Sequence, residues 1–321
     1  MKIIVTGAAG FVGSHLCEAL LEREGNEVIG IDAMLRDELR VIGSRNLDAI
    51  MGHSRFVFHN ENLLDINWDE LLKDADIVYH LAGIPGVRNS WGDDFGHYVT
   101  NNINLTQRLL EACKGKPLKK FVYVSTSSVY GEVTGKVSEE AMPSPLSPYG
   151  VSKLTGEHLC RVYWRNEGVP IVILRYFTVY GPRQRSDMAF HRFIYQILNN
   201  QPITLYGDGT QSRDFTYVGD CAEATAAVAE ASGVIGETIN IGGKERASIN
   251  DIIEMLEWMT GKPTQIIHAG GLVGEPMHTW ADISKAERLL GYSPKISLAE
   301  GLRREVAFAR KHPYLKEDSA V

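Results

Sequence analysis

The sequence predicts an α/β protein, a doubly wound parallel sheet followed by a smaller C-terminal substrate-binding lobe. Three observations carry this. Short apolar runs alternate with amphipathic ones through the first half of the chain, the pattern of parallel strands joined by crossover helices. A glycine cluster, Gly7-Ala8-Ala9-Gly10-Phe11-Val12-Gly13, follows the first apolar run. After Tyr176 the rhythm breaks into shorter elements punctuated by Gly181-Pro182, Gly207-Asp208-Gly209 and Gly242-Gly243, as a loop-richer lobe would.

In chain order, strands are expected at 3–6, 27–32, 55–59, 77–82, 121–125 and 171–176. A helix is expected over 14–24, where Leu16, Ala19 and Leu20 recur on one face and Gly25 supplies the stop. Segments 100–114 and 153–166 read the same way. One further strand is expected at 238–241, with part of the second half returning to the main sheet. Residues 1–176 plus roughly 214–241 then form a Rossmann dinucleotide-binding domain. Roughly 177–213 plus 242–315 form the lobe, and 316–321 a loose tail.

Bulk properties narrow the class. The 321 residues are 44% hydrophobic and 23% charged, with a net charge of -7, ordinary for a soluble globular protein. There is no basic footprint for nucleic acid and no apolar stretch of about 18 residues for a membrane span. The opening run Lys2-Ile3-Ile4-Val5-Thr6 lacks the zones of a secretory signal, so the cytoplasm is expected. Cys17, Cys113, Cys160 and Cys221 are far apart without metal-ligand spacing; they read as structural thiols, and no metal is expected.

The glycine cluster sits between a strand and a helix. There the backbone must turn tightly and approach a pyrophosphate closely, and the helix N-terminus offers N–H groups and a positive dipole end. Gly7, Gly10 and Gly13, with Phe11 and Val12 between them, are the phosphate-side candidates. Asp32 ends the second strand about 20 residues beyond the glycines, where an acid bonds ribose hydroxyls. It would repel a 2′-phosphate and so favours NAD over NADP, although Arg36 nearby leaves that choice open.

Tyr149 and Lys153 are four apart and project from one helix face. An unperturbed phenol, with a pKa near 10, is too weakly acidic to serve as a base at neutral pH. A neighbouring ammonium and a positive nicotinamide ring would lower that value. Thr126, in Ser125-Thr126-Ser127-Ser128, ends a strand and offers a hydroxyl to orient a substrate hydroxyl. Together the three form a candidate catalytic trio.

The Gly-x-x-Gly-x-x-Gly spacing, His80-Leu81-Ala82-Gly83, Asn102 and Tyr149-Gly150-Val151-Ser152-Lys153 resemble the extended short-chain dehydrogenase/reductases that act on nucleotide sugars. The resemblance spans nearly the whole chain. Family members usually carry alanine at Gly83 and an acid at Asn62. The resemblance implies NAD as cofactor, with Asn62, Leu63, Leu81, Ala82, Asn102 and Tyr176 among its contacts. It also implies that the trio moves a hydride between a sugar carbon and NAD, with Tyr149 taking the hydroxyl proton. A homodimer built by packing 100–114 and 153–166 against their copies is implied as well.

The resemblance extends to substrate. The segment Leu205-Tyr206-Gly207-Asp208-Gly209-Thr210-Gln211-Ser212-Arg213-Asp214-Phe215 is similar to the one that grips the diphosphate in nucleotide-sugar enzymes, with Arg213 as cation; a surface pair of Arg213 with Asp214 is the alternative. Phe177-Thr178-Val179-Tyr180-Gly181-Pro182, then Arg185-Ser186-Asp187-Met188-Ala189, and Gly86-Val87-Arg88-Asn89-Ser90 resemble UDP-glucuronate 4-epimerases. UDP-glucose 4-epimerases commonly carry asparagine at Thr178. Arg185 would meet the sugar carboxylate; a solvated loop arginine is the alternative.

Oxidising C4 of a glucuronate makes a β-keto acid, which loses carbon dioxide when its carboxyl bond stands perpendicular to the carbonyl. An epimerase must hold the carboxylate out of that geometry. Decarboxylases of the family carry a glutamate at the position of Ser128, and dehydratases an Asp-Glu pair at Ser127-Ser128. Neither acid is present, so Ser127 and Ser128 are expected on the substrate instead. The usual second diphosphate arginine is missing from Gly274-Glu275-Pro276-Met277-His278-Thr279-Trp280-Ala281-Asp282; either Arg88 or Arg192 replaces it or uridine is held differently, and His278 is expected to be structural. The expected reaction is C4 epimerisation of UDP-glucuronate to UDP-galacturonate. UDP-glucose 4-epimerase, a decarboxylase or another enzyme of the fold, and a non-catalytic NAD-binding regulator are the rival readings.

Overall fold

A computed structural model describes residues 1–35, 37–271 and 273–312, with the backbone alone for 37–41. Arg36 and the tail expected at 316–321 lie outside the described residues. The elements run β1 (Lys2–Thr6), α1 (Phe11–Leu21), β2 (Glu27–Ile31), α2 (Asp37–Leu47), β3 (Phe56–His59), α3 (Trp68–Leu71), β4 (Ile77–His80), α4 (Phe95–Tyr98) and α5 (Leu105–Ala112). They continue with β5 (Lys120–Thr126), α6 (Pro148–Glu167), β6 (Ile171–Tyr176), β7 (Thr178–Tyr180), α7 (Ala189–Leu198), β8 (Ile203–Tyr206), β9 (Ser212–Tyr217) and α8 (Val218–Ala227). The last are β10 (Thr238–Ile241), β11 (Glu245–Ser248), α9 (Ile249–Thr260), β12 (Ile266–Ala269), α10 (Ser284–Leu290) and α11 (Leu298–Lys311).

The main sheet has seven strands in the order β10-β6-β5-β4-β1-β2-β3, all pairs parallel. Successive side chains of a strand point to opposite faces, and β1 shows it. Ile3 and Val5 join the core that holds Leu16 and Leu20 of α1 and Ala222 of α8. Ile4 joins the other core, with Leu109 of α5, Phe121 and Cys160 of α6. Helices therefore cover both faces, the Rossmann α/β arrangement expected from the sequence. The strand order reverses between β1 and β4, where such sheets open a crevice beyond their C-terminal ends.

The strand at 238–241 lies where it was expected and pairs with β6 in the main sheet. The smaller lobe combines a three-stranded sheet, β11-β9-β7, with the β12-β8 pair. Phe190, Ile194, Ile252, Leu256 and Leu302 of α7, α9 and α11 form its core. Strand β9 runs through residue 214, so the return toward the main sheet begins at α8.

Helix ends differ from the sequence expectation in informative ways. Helix α1 starts at Phe11, on the glycine turn itself, and stops at Leu21. Helix α6 begins at Pro148 rather than 153, because Ser147 caps it by accepting from the N–H of Gly150 and proline fits the first turn. Segment 100–114 is not one regular helix. A π-helical turn, Val99–Asn104, joins α4 to α5, and such turns insert one extra residue into the helical path. Here it accompanies an inward-facing Asn102, whose side chain bonds both backbone groups of Ile84.

Candidate active site

The turn from β1 into α1 is shaped by close approach. Gly7 has φ +75°, and a Cβ on it would stand 2.9 Å from the Ala82 nitrogen; a Cβ on Gly13 would overlap the Gly7 carbonyl oxygen. Gly10 caps α1 with no side-chain hydrogen bond, which leaves the first-turn N–H groups facing outward. They face a cleft of about 400 Å³ lined by Gly7, Gly10, Phe11, Val12 and Gly13. Asp32 closes one end, its carboxylate held by the N–H groups of Ala9 at 3.1 Å and Met34 at 2.8 Å. Asn62, Leu63, Leu81, Ala82, Asn102 and Tyr176 lie along the same walls. An uncapped helix N-terminus, a backbone no side chain could approach and a fixed acid beyond it fit a dinucleotide.

Beneath the floor runs a buried hydrogen-bond chain. The Thr6 hydroxyl meets His80 Nδ1 at 2.8 Å, and His80 Nε2 meets the Thr106 hydroxyl at 3.1 Å. Asn102 Nδ2 donates to Ser152 Oγ, which donates to the Tyr149 carbonyl. Burial, assisted by the Lys153 charge, pushes His80 down to about 3, so the imidazole stays neutral. The chain ties β1, β4 and the π-turn to the start of α6. A second buried group anchors α6 further on: Glu157 accepts from Ser125 at 2.6 Å and from both ends of the Arg175 fork at 2.9 and 2.7 Å.

The trio converges as the sequence expects. Thr126, Tyr149 and Lys153 all line the cleft. The Thr126 hydroxyl accepts from the Ser128 N–H at 3.2 Å and donates to Ser128 Oγ at 3.3 Å. Burial drives Lys153 from 10.5 down to about 8, with Cys160 and Glu157 acting against it, and its Nζ sits 4.3 Å above the Tyr123 ring. Burial raises the Tyr149 phenol, while the Thr126 hydroxyl and the Arg185 guanidinium pull it back. The sequence reading had credited Lys153 and the nicotinamide with that lowering. The chain's own contribution comes from Thr126 and Arg185 instead.

Ser127, Ser128, Thr178 and Arg185, the residues expected to meet the substrate, line the same cleft. Arg185 holds both oxygens of Asp187, through Nε at 2.9 Å and Nη2 at 2.7 Å. Its loop is fastened to α1: Arg183, at φ +67°, bonds Glu18 at 2.7 Å, and His15 meets the Pro182 carbonyl at 3.0 Å.

Arg88, Arg192 and Arg213 are not in the cleft lining but gather nearby. Arg88 stacks 4.0 Å over the Tyr206 ring, with Arg192 at 5.8 Å from it. Glu275 bridges Arg88 at 3.2 Å and Arg213 at 3.1 Å. The alternative pairing of Arg213 with Asp214 is not formed. Asp214 points inward and accepts from the N–H groups of Gly243 and Ala281, because neighbouring residues of a strand face opposite ways. His278 bonds Ser212 at 2.8 Å, a contact between two segments of the lobe.

Sequence reasoning missed several of these residues. Tyr98 packs edge-on against Tyr149 with centroids 6.2 Å apart; Ile84 and Pro85 line the cleft from a loop and carry no motif, and Phe177, quoted only as part of a motif, lines it too. Glu275 had a signal, since it stands in the segment that lacks the usual arginine. Among the described residues no cluster of three His, Cys, Asp or Glu could hold a metal, and no helix is long and apolar enough to cross a membrane. The four cysteines are buried free thiols.

Comparison with known proteins agrees with this geometry. A crystal structure of UDP-glucuronic acid 4-epimerase from Bacillus cereus, in complex with UDP-glucuronic acid and NAD, is 57% identical. It superposes with a TM-score of 0.95, covering 97% of this chain and 99% of that one. A UDP-glucuronate 4-epimerase of Thermodesulfobacterium geofontis is 40% identical over 96% of each chain. An uncharacterised UDP-glucose epimerase of Bacillus subtilis is 54% identical over 96% of this chain and 98% of its own. The family model for NAD-dependent epimerases and dehydratases matches residues 3–242. With the glycine turn, the trio and the buried supports in place, the chain belongs to the NAD-dependent epimerase/dehydratase family of enzymes, with NAD as its cofactor.

Proposed function

We propose that this enzyme reversibly epimerises UDP-glucuronate to UDP-galacturonate at C4, through a 4-keto sugar and with no net turnover of NAD. The observation that carries the reading is the placement of Arg185 in one cleft with Thr126, Tyr149 and Lys153, where Ser127 and Ser128 supply hydroxyls and no acid. Bound NAD supplies the acceptor and later the donor of the C4 hydride. Tyr149 takes the proton of the C4 hydroxyl and returns it after the keto sugar has turned. Thr126 orients that hydroxyl and, with Arg185, favours the phenolate. Arg185, with Ser127, Ser128 and Thr178 around it, holds the carboxylate away from the perpendicular geometry that releases carbon dioxide. Arg88, Arg192 and Arg213, gathered around Tyr206 and Glu275, are the cations that would grip the diphosphate in place of the missing second arginine.

The Bacillus subtilis relative named for UDP-glucose is the reason to test that sugar alongside. Purified protein is incubated with each UDP-sugar and the products separated. UDP-galacturonate formed without added NAD is the expected result. A UDP-pentose, or NADH released in step with substrate, would overturn it. Arg185→Ala should lower kcat/KM on UDP-glucuronate about 100-fold or more; an equal loss on UDP-glucose would contradict the carboxylate role. The half-exposed Val151 and Val162 on α6 support a homodimer built on that helix.

A further inference from the structure

Arg185 does not wait for a substrate carboxylate with an empty fork. Its Nε and Nη2 take both oxygens of Asp187, two residues on, at 2.9 and 2.7 Å. This is the fork-on-fork geometry a uronate carboxylate would need. The two partners differ in burial. The Arg185 side chain retains 17% of its accessibility and Asp187 46%, so the guanidinium is sunk toward the cleft while the carboxylate sits at its rim. Asp187 is the member of the pair that faces water, whereas an unpaired Arg185 would be a largely desolvated cation.

The loop itself is fixed on both sides of the pair. Arg183 bonds Glu18 and Ser14. Gln184 receives the His191 N–H and donates to the Val179 carbonyl. A side-chain rotation of Asp187 is then enough for exchange, without movement of the loop. The pair also reaches the base. Arg185 lowers Tyr149, and at Tyr98 its influence is opposed by that of Asp187.

Resting on the proposed uronate chemistry, we infer that Asp187 is an exchange partner for Arg185: it gives way to the substrate carboxylate, then takes the guanidinium back when the keto sugar turns. Turning the ring moves the carboxylate out of its first contact. Asp187 keeps Arg185 paired through that interval, so rotation and release do not require a bare buried cation. It thereby loosens the ground-state complex and speeds turnover. A neutral C6 hydroxymethyl group offers Arg185 nothing to exchange for Asp187, and the pair stays closed over such a sugar.

The test is Asp187→Asn in the NAD-loaded enzyme, with wild type, Arg185→Ala and the double variant alongside. Expected for Asp187→Asn is a KM for UDP-glucuronate lower by about fivefold, with kcat lower by a similar factor. Titration of UDP-glucuronate into the same variants on a Tyr149→Phe background should show the tightening directly, and UDP-glucose should bind unchanged. In the Arg185→Ala background Asp187→Asn should have no further effect on binding. Asp187→Asn that weakens binding would make Asp187 a mere support for Arg185, and unchanged binding would mean that no exchange occurs; either overturns the inference. Additive effects in the double variant do the same. If wild type does not epimerise UDP-glucuronate at all, the proposed function fails first, and separately.

Discussion

At the scale of single residues, the site is a set of groups forced into unfavourable states by burial and corrected by neighbours. In the proposed reaction Tyr149 must ionise against the burial that opposes it, and within the chain Thr126 and Arg185 act the other way. Tyr149→Phe should cut kcat by about 1,000-fold while leaving UDP-sugar affinity within about threefold, as rapid-quench and calorimetric measurements would show. Lys153 carries the larger folding penalty. Burial depresses it from 10.5 to about 8, and that gap corresponds to about 3 kcal/mol against the ammonium form. The unfolded chain holds the extra proton between those two values, so stability rises with pH from about 8 to about 10.5. With cofactor stripped, Lys153→Met should therefore be the more stable protein at pH 7, and the advantage should shrink toward pH 10.5. Urea unfolding of both proteins at the two pH values checks this; an advantage that does not change with pH would contradict it.

At the scale of elements, what matters is how closely α6 can approach the sheet. Gly156 makes that approach possible, since a Cβ there would overlap the Tyr123 hydroxyl of β5. Gly156→Ala should lift the helix that carries Tyr149 and Lys153, at a cost of about 1–3 kcal/mol and a disproportionate loss of kcat, read by denaturation and steady-state kinetics. Lys120 does a different job. Its ammonium is buried against the carbonyls of Val228, Ala229 and Ala231, each at 2.7 Å, just beyond the end of α8. Lys120→Met should leave those acceptors unsatisfied and lower stability by about 2–4 kcal/mol with little change in KM. Neither role has a sequence signature, because both depend on which helix lands on which strand.

At the scale of the whole molecule, the cleft lies at the reversal point of the sheet and is closed by a lobe whose loop is fastened back to α1. A ligand that binds only the folded form stabilises it by mass action. At a hundredfold excess over its Kd, NAD should add about 2.7 kcal/mol, so stripped protein should melt several degrees lower and recover on adding NAD but not on adding nicotinamide alone.

The sequence by itself determined the alternating architecture, the glycine turn, Asp32 and the trio. These are local: each needs only residue type, strand-to-helix order and a spacing of a few positions. It also placed Ser127 and Ser128 beside Thr126, because they follow it directly, whereas Arg185 stands in a separate segment and was brought into view by resemblance alone. Tertiary structure decided the rest. Asp187 already occupying Arg185, Glu275 drawing Arg88 and Arg213 together, Tyr98 packing on Tyr149, and the inward turn of Asp214 all depend on side-chain direction and on contacts between distant segments. A one-dimensional pattern carries the period of burial but not the partner across the gap. For charged groups in a half-closed cleft, the partner sets the energy.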